Sequence, residues 1–143
     1  MKCYIGYKFS NIADKQDLKM KVLSLAEHII STGNTTFVLG RDVQNWHSSP
    51  FPMLKTLPHV FINMFKCDCL ISLVTDNSTS TGLLVENILA TLLMKKRGFL
   101  VVNPVNKHIY NFLSDPEFTL IFNNDEELPK STDILLDRLK NSL

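Results

Sequence analysis

The sequence predicts a doubly wound α/β fold: a five-stranded parallel sheet in the flavodoxin- or Rossmann-like order 2-1-3-4-5, with helices on both faces. Three observations predict it. Strand-like and helix-like segments alternate along the chain without repeats or a linker, which calls for right-handed βαβ crossovers and therefore parallel strands. The segment Cys69–Val74 reads CLISLV, apolar nearly throughout, as expected of a central strand covered on both faces. The segment after it is a polar loop running into a helix with almost no charge on it, and a helix that is apolar all round is buried all round.

Each element has its own signal. Cys3–Tyr7 is the first strand, and residues 8–17 form a polar connection. A helix follows to about Thr32, with Leu18, Met20, Val22, Leu23, Leu25, Ala26, Ile29 and Ile30 as its apolar stripe and Gly33-Asn34 as its closing pair. Thr35–Leu39 is the second strand, and residues 40–47 lead out of it as loop. Pro50, Pro52 and Pro58 keep the chain in loop until a helix over His59–Lys66. The third strand is Cys69–Val74, followed by the loop Thr75–Gly82 and a helix from Thr81 to Lys96. Gly98–Asn103 is the fourth strand, and Asn106–Leu113 a short helix. Glu117–Phe122 is the fifth strand, and Asp125–Leu143 an amphipathic closing helix.

Composition bounds the function. At 143 residues the chain is the size of one domain with a proper core, residues 1–143. A net charge of +1 with 45% hydrophobic and 20% charged residues argues against a nucleic-acid polymer or a membrane surface as partner. No apolar run reaches the ~18 residues of a membrane span, and the N-terminus opens directly in strand-like sequence, so a cytoplasmic location is expected. Cys3, Cys67 and Cys69 lie in or beside apolar strands and read as buried reduced thiols. The four histidines lack chelating spacing, and no Gly-x-Gly-x-x-Gly or Walker pattern occurs; neither a metal nor a cofactor is expected.

Ligands of doubly wound sheets sit outside the carboxyl ends of the strands, at the switch point between strands 1 and 3. Three polar stretches converge there: Gly6–Ser10, Gly40–Asp42 and Thr75–Gly82. Ser78, Ser80 and Gly82 precede a helix, where unpaired amides and the helix dipole favour an anion. Ser80 or Thr81 also suits the ordinary role of N-cap. Glu86, one turn further on, is a lone acid on an apolar helix. It is either a nucleophile for an anomeric carbon, as in retaining glycoside chemistry, or a buried acid paired with Lys8 or Arg41. Trp46 and His47 suit either base stacking or anchoring of their loop.

The segment Ser80-Thr-Gly82-Leu-Leu-Val-Glu86 resembles the Ser-x-Gly-x-x-x-Glu signature of the nucleoside 2-deoxyribosyltransferase family, in particular its 2'-deoxynucleoside 5'-phosphate N-hydrolase branch. Tyr4-Ile-Gly6, Cys67-Asp68, Val74-Thr75 and Leu135–Arg138 also resemble family positions. The resemblance implies Glu86 as the nucleophile of a glycosyl-enzyme ester, with Ser80 and Gly82 holding a 5'-phosphate. It implies Gly6 and Lys8 lining the sugar-phosphate pocket, and Asn111 reaching the phosphate from a partner subunit. The expected function is cleavage of the N-glycosidic bond of a 2'-deoxyribonucleoside 5'-monophosphate or nucleoside, in a homodimer. The chain departs from the family where an aspartate usually stands upstream of the third strand; Pro58–Phe61 holds none. Asp42 or His59 would then take over proton transfer. Otherwise the chain is a nucleotide-binding sensor without turnover; an NAD glycohydrolase resembling the TIR group is a third reading. The dimer is expected through the Glu86 helix, with Leu84, Ile88 and Leu92 on the sheet and Leu83, Ala90, Leu93 and Met94 facing outward.

Overall fold

A computed structural model describes residues 1–46, 53–110 and 116–143. Its five strands are β1 (Lys2–Tyr7), β2 (Thr35–Val38), β3 (Cys69–Val74), β4 (Lys96–Val102) and β5 (Phe118–Phe122). They form one parallel sheet in the order β2-β1-β3-β4-β5, as the alternation predicted. The helices are α1 (Lys15–Ser31), α2 (Met53–Lys66), α3 (Thr81–Leu92) and α4 (Leu128–Ser142).

The pleat divides the core. Cys3 and Ile5 of β1 point to the layer shared with α1 and α4, where they meet Val22, Ile29, Leu135 and Leu139. Tyr4 and Leu70, register partners on β1 and β3, point the other way, toward Val60 and Met64 of α2 and Ala90 of α3. Period two therefore puts Gly6 and its partner Ser72 on the α3 side as well. α4 lies so close to β4 that a Cβ on Gly98 would stand 2.7 Å from Leu135 Cδ1.

Several boundaries differ from those read in the sequence. α1 begins at Lys15, earlier than expected, because the Asp14 carboxylate accepts from the Asp17 amide and caps the helix. Its stripe is narrower too, with Met20 and Ile30 exposed. Residues 40–44, expected as loop, wind into a π-helical turn. α2 begins at Met53 and takes Pro58 within it. The proline has no N–H to give to the turn before it, but the apolar side carrying Val60 and Met64 seals one face of the sheet and outweighs that loss.

α3 ends at Leu92 rather than Lys96, because Met94 takes a left-handed φ of 53° and Lys96 already pairs with Cys69 in the sheet. The side it turns inward is also corrected. Leu83, Glu86, Asn87 and Ala90 are buried, whereas Leu92, assigned to the sheet, is exposed. Residues 107–110 form turns, and the remainder of the expected short helix, with Asn111, lies outside the described residues, as does His47. Among the described residues no helix is long and apolar enough to cross a membrane.

Candidate active site

Glu86 reaches the sheet because β1 leaves room for it. A Cβ on Gly6 would lie 2.7 Å from Glu86 Oε2 and 2.8 Å from Leu83 Cδ1. No larger residue fits between strand and helix. Two residues earlier on the same face, the Tyr4 hydroxyl donates to Glu86 Oε1 at 2.9 Å. Oε2 has no hydrogen-bond partner among the described residues. Glu86 as a whole is 7% exposed, and Oε2 is buried. Burial pushes its pKa up to about 8, against the opposing pull of the Tyr4 hydrogen bond. The same burial, with the carboxyl alongside, holds the Tyr4 phenol well above its ordinary value, so Tyr4 is a donor and not an acid at neutral pH.

Neither cation proposed as a structural partner touches Glu86. Lys8, itself buried, binds Asp76 at 3.0 Å and the Ser78 hydroxyl. Arg41 bonds to Asp42 and to the Thr36 carbonyl. A buried acid without a cation is a costly arrangement, which removes the bland reading of Glu86 as half of an ion pair.

Around this carboxyl lies a cleft of about 310 Å³. Tyr7 and Phe9 from the end of β1 form one wall, and Thr56, Leu57 and Val60 of α2 another. Ser80, Thr81 and Gly82 at the start of α3 supply a polar end, and Gln44 an amide. Tyr7 is steadied from behind: its hydroxyl accepts from the Gly40 amide at 3.0 Å, and its ring packs 5.9 Å from that of Trp46. Trp46 thus anchors the aromatic wall. A Cβ on Gly40 would meet the Trp46 ring at 2.9 Å, so glycine is needed where the turn closes over it.

Ser80 caps α3, its Oγ accepting from the Leu83 amide at 3.3 Å. Its own amide donates to the hydroxyl of buried Tyr110 at 3.0 Å. Next door, the buried Asn87 amide holds the Ser72 hydroxyl at 3.1 Å and the Leu83 carbonyl at 2.9 Å, locking α3 onto β3.

The structure brings Gly6, Ser80, Gly82 and Glu86 together. Lys8 and Ser78 lie beside the cleft without lining it, committed to Asp76. Asp42 faces elsewhere: although burial raises its pKa, bonds from Arg41 and the Val38 amide hold it below the usual carboxylate range. It lines no part of the cleft, and neither does His59, which is exposed on α2. Among the described residues no three His, Cys, Asp or Glu side chains gather as a metal site. Sequence reasoning gave no site role to Tyr4, Gln44 or Asp76, although Tyr4 and Asp76 lie in segments it singled out. For Tyr4 the signal was present, since it stands two residues before Gly6 on the same face of one strand.

No protein-family model matches the chain, and no curated protein sequence does. Solved structures do. A CMP N-glycosidase of Clostridium botulinum, BcmB, superposes with a TM-score of 0.65 at 15% identity, over 94% of this chain and 99% of that one. A 2-deoxyribosyltransferase from Bacillus psychrosaccharolyticus gives 0.60 at 16% identity, over 90% of each. The solution structure of BlsM gives 0.71 at 17% identity, over 98% of this chain and 94% of that chain. At such identities the shared property is the fold: the five-stranded parallel sheet and its helices are those of proteins nearly the same length throughout.

Proposed function

We propose that this chain cleaves the N-glycosidic bond of a nucleotide or nucleoside, with Glu86 as the nucleophile. One observation carries the proposal: a buried carboxyl held by one tyrosine, with no cation on it and one oxygen unpartnered among the described residues, beside a cleft walled by aromatic rings. The fold likeness to a CMP N-glycosidase and a 2-deoxyribosyltransferase supports this reading.

Ionised Glu86 attacks the anomeric carbon as the bond to the base nitrogen breaks. The bonding pair leaves with the base, which takes a proton from water. A second water then opens the ester, returning the sugar and the carboxylate. The cationic character of the sugar in the transition state favours the ionised acid where the empty cleft does not. Tyr4 fixes the orientation of Oε1 and leaves Oε2 for attack. Tyr7 and Phe9 offer flat faces to a base, and the amides at the start of α3 suit a 5'-phosphate.

The direct test is base release from a panel of nucleosides, nucleotides and NAD, with kcat/KM followed against pH. A nucleophile must be ionised, so kcat/KM should rise with pH until it levels near the Glu86 value of about 8. A profile that falls over that range would assign Glu86 to proton donation instead.

A second reading has its own observation. Among the described cleft-lining residues Glu86 is accompanied by no other carboxylate and no histidine, which suits a nucleotide sensor that never turns over. Binding of a nucleotide without base release from any panel member would decide for it.

A further inference from the structure

Among the described residues that line the cleft, Glu86 is the one group able to carry a charge at neutral pH; no lysine, arginine, histidine or second carboxylate joins it. Lys8, beside the cleft, is bound to Asp76 at 3.0 Å. The same lining residues include no acid fit to protonate a departing base. Burial pushes the Tyr7 phenol well above its ordinary value, and its oxygen already accepts from the Gly40 amide at 3.0 Å. The Ser80 hydroxyl is engaged as the cap of α3, accepting from the Leu83 amide at 3.3 Å. An ordinary nucleobase leaves with a negative charge on its ring, and its departure is slow where no acid assists it.

We propose that the cleft is selective for N-glycosides whose base carries a positive charge at neutral pH: a pyridinium, or a purine or pyrimidine methylated on a ring nitrogen. The proposal rests on Glu86 as the nucleophile and names the substrate class for that chemistry. Three features select a cation. Ionised Glu86 has no counter-ion among the described residues and one unpartnered oxygen; a charged base supplies the counter-ion, in a site where opposite charges attract more strongly than in water. Tyr7 and Phe9 wall the cleft with ring faces, which draw a cation held within ~6 Å of the ring centre. Phe9 already takes one, Lys15, at 5.1 Å. The third feature is the chemistry. The carboxylate forms a C–O bond at the anomeric carbon as the C–N bond breaks, and the C–N pair cancels the charge on the ring. The base leaves neutral and takes no proton. One water then opens the ester, giving the free sugar, the carboxylate and one proton. At about 310 Å³ the cleft is at the small end for ligand sites, which suits a single nucleoside or its monophosphate rather than a dinucleotide.

The test is base release, read by chromatography at about pH 6.5, from two matched pairs: 7-methylguanosine against guanosine, and 3-methylcytidine against cytidine, each as nucleoside and 5'-monophosphate. For each cation kcat/KM should exceed that of its neutral partner by at least about a hundredfold, the low end of what an assisting acid supplies. Neutral partners cleaved as well as the cations overturn the proposal and leave Glu86 as a nucleophile. Release from no compound overturns both. A second measurement needs no turnover. Above pH 8, N1-methylnicotinamide, a cation without a glycosidic bond, should bind at least about tenfold more tightly than neutral nicotinamide, and Glu86→Gln should remove the difference. No preference in the unmodified chain, or one that survives in the variant, overturns the proposal.

Discussion

Glu86→Gln should make the protein more stable while abolishing base release. The carboxyl has an ordinary pKa of 4.5 and about 8 in the fold. A raised value means that its contribution to stability is fully present below pH 4.5 and is lost as pH rises through about 8. At pH 7 the unfolded chain carries an ionised glutamate and the folded chain a protonated one. Spanning 2.5 pH units at 1.36 kcal/mol each, this neutralisation costs roughly 3 kcal/mol of stability. Glutamine never ionises and keeps the shape of the protonated acid, including an oxygen to accept from Tyr4. The variant should therefore gain roughly 2–3 kcal/mol at pH 7, or on the order of 10 °C in melting temperature. It should gain almost nothing at pH 4.5. Urea unfolding of both proteins at the two pH values measures the gain, and base release measures the loss. If the variant is less stable than wild type at pH 7, or the difference ignores pH, the argument from an unpaired buried carboxyl is wrong. A structural ion pair would give that result; a site that trades stability for function would give the gain.

Gly6→Ala should damage the site through packing alone. Its methyl would sit 2.7 Å from Glu86 Oε2 and 2.8 Å from Leu83 Cδ1, so chemical unfolding should show a loss of about 1–3 kcal/mol and steady-state assays a fall in kcat of at least about tenfold. Ser80→Ala should cost about 1 kcal/mol of stability as a lost N-cap. If a 5'-phosphate sits at the start of α3, kcat/KM should also drop about ten- to a hundredfold for a nucleoside monophosphate but not for the free nucleoside; an equal loss on both would remove the phosphate from that place.

Much of this protein follows from sequence pattern. The sheet order was legible because alternation forces crossovers of one hand, and the burial of β3 because its side chains are apolar on both faces. The place of Glu86 near the switch point followed from its position just past a polar loop. Element ends were less legible: the cap at Asp14 is a local bond to Asp17 that competes with other polar starts in the same loop, whereas the end of α3 near Met94 and the proline inside α2 depend on packing against the sheet. The inward face of α3 was misread because an apolar helix has no polar side to orient it; the sheet chose the side bearing Glu86 and Asn87, which meet Tyr4 and Ser72. Charge pairing was settled partly by the fold, for Lys8 with Asp76, and partly by chain neighbours, for Arg41 with Asp42. Lys8 and Arg41 each have an acid nearer to hand than Glu86, Asp76 and Asp42. The packing of α3 on β1 leaves Glu86 buried without a cation among the described residues, because the space beside it exists where Gly6 has no side chain.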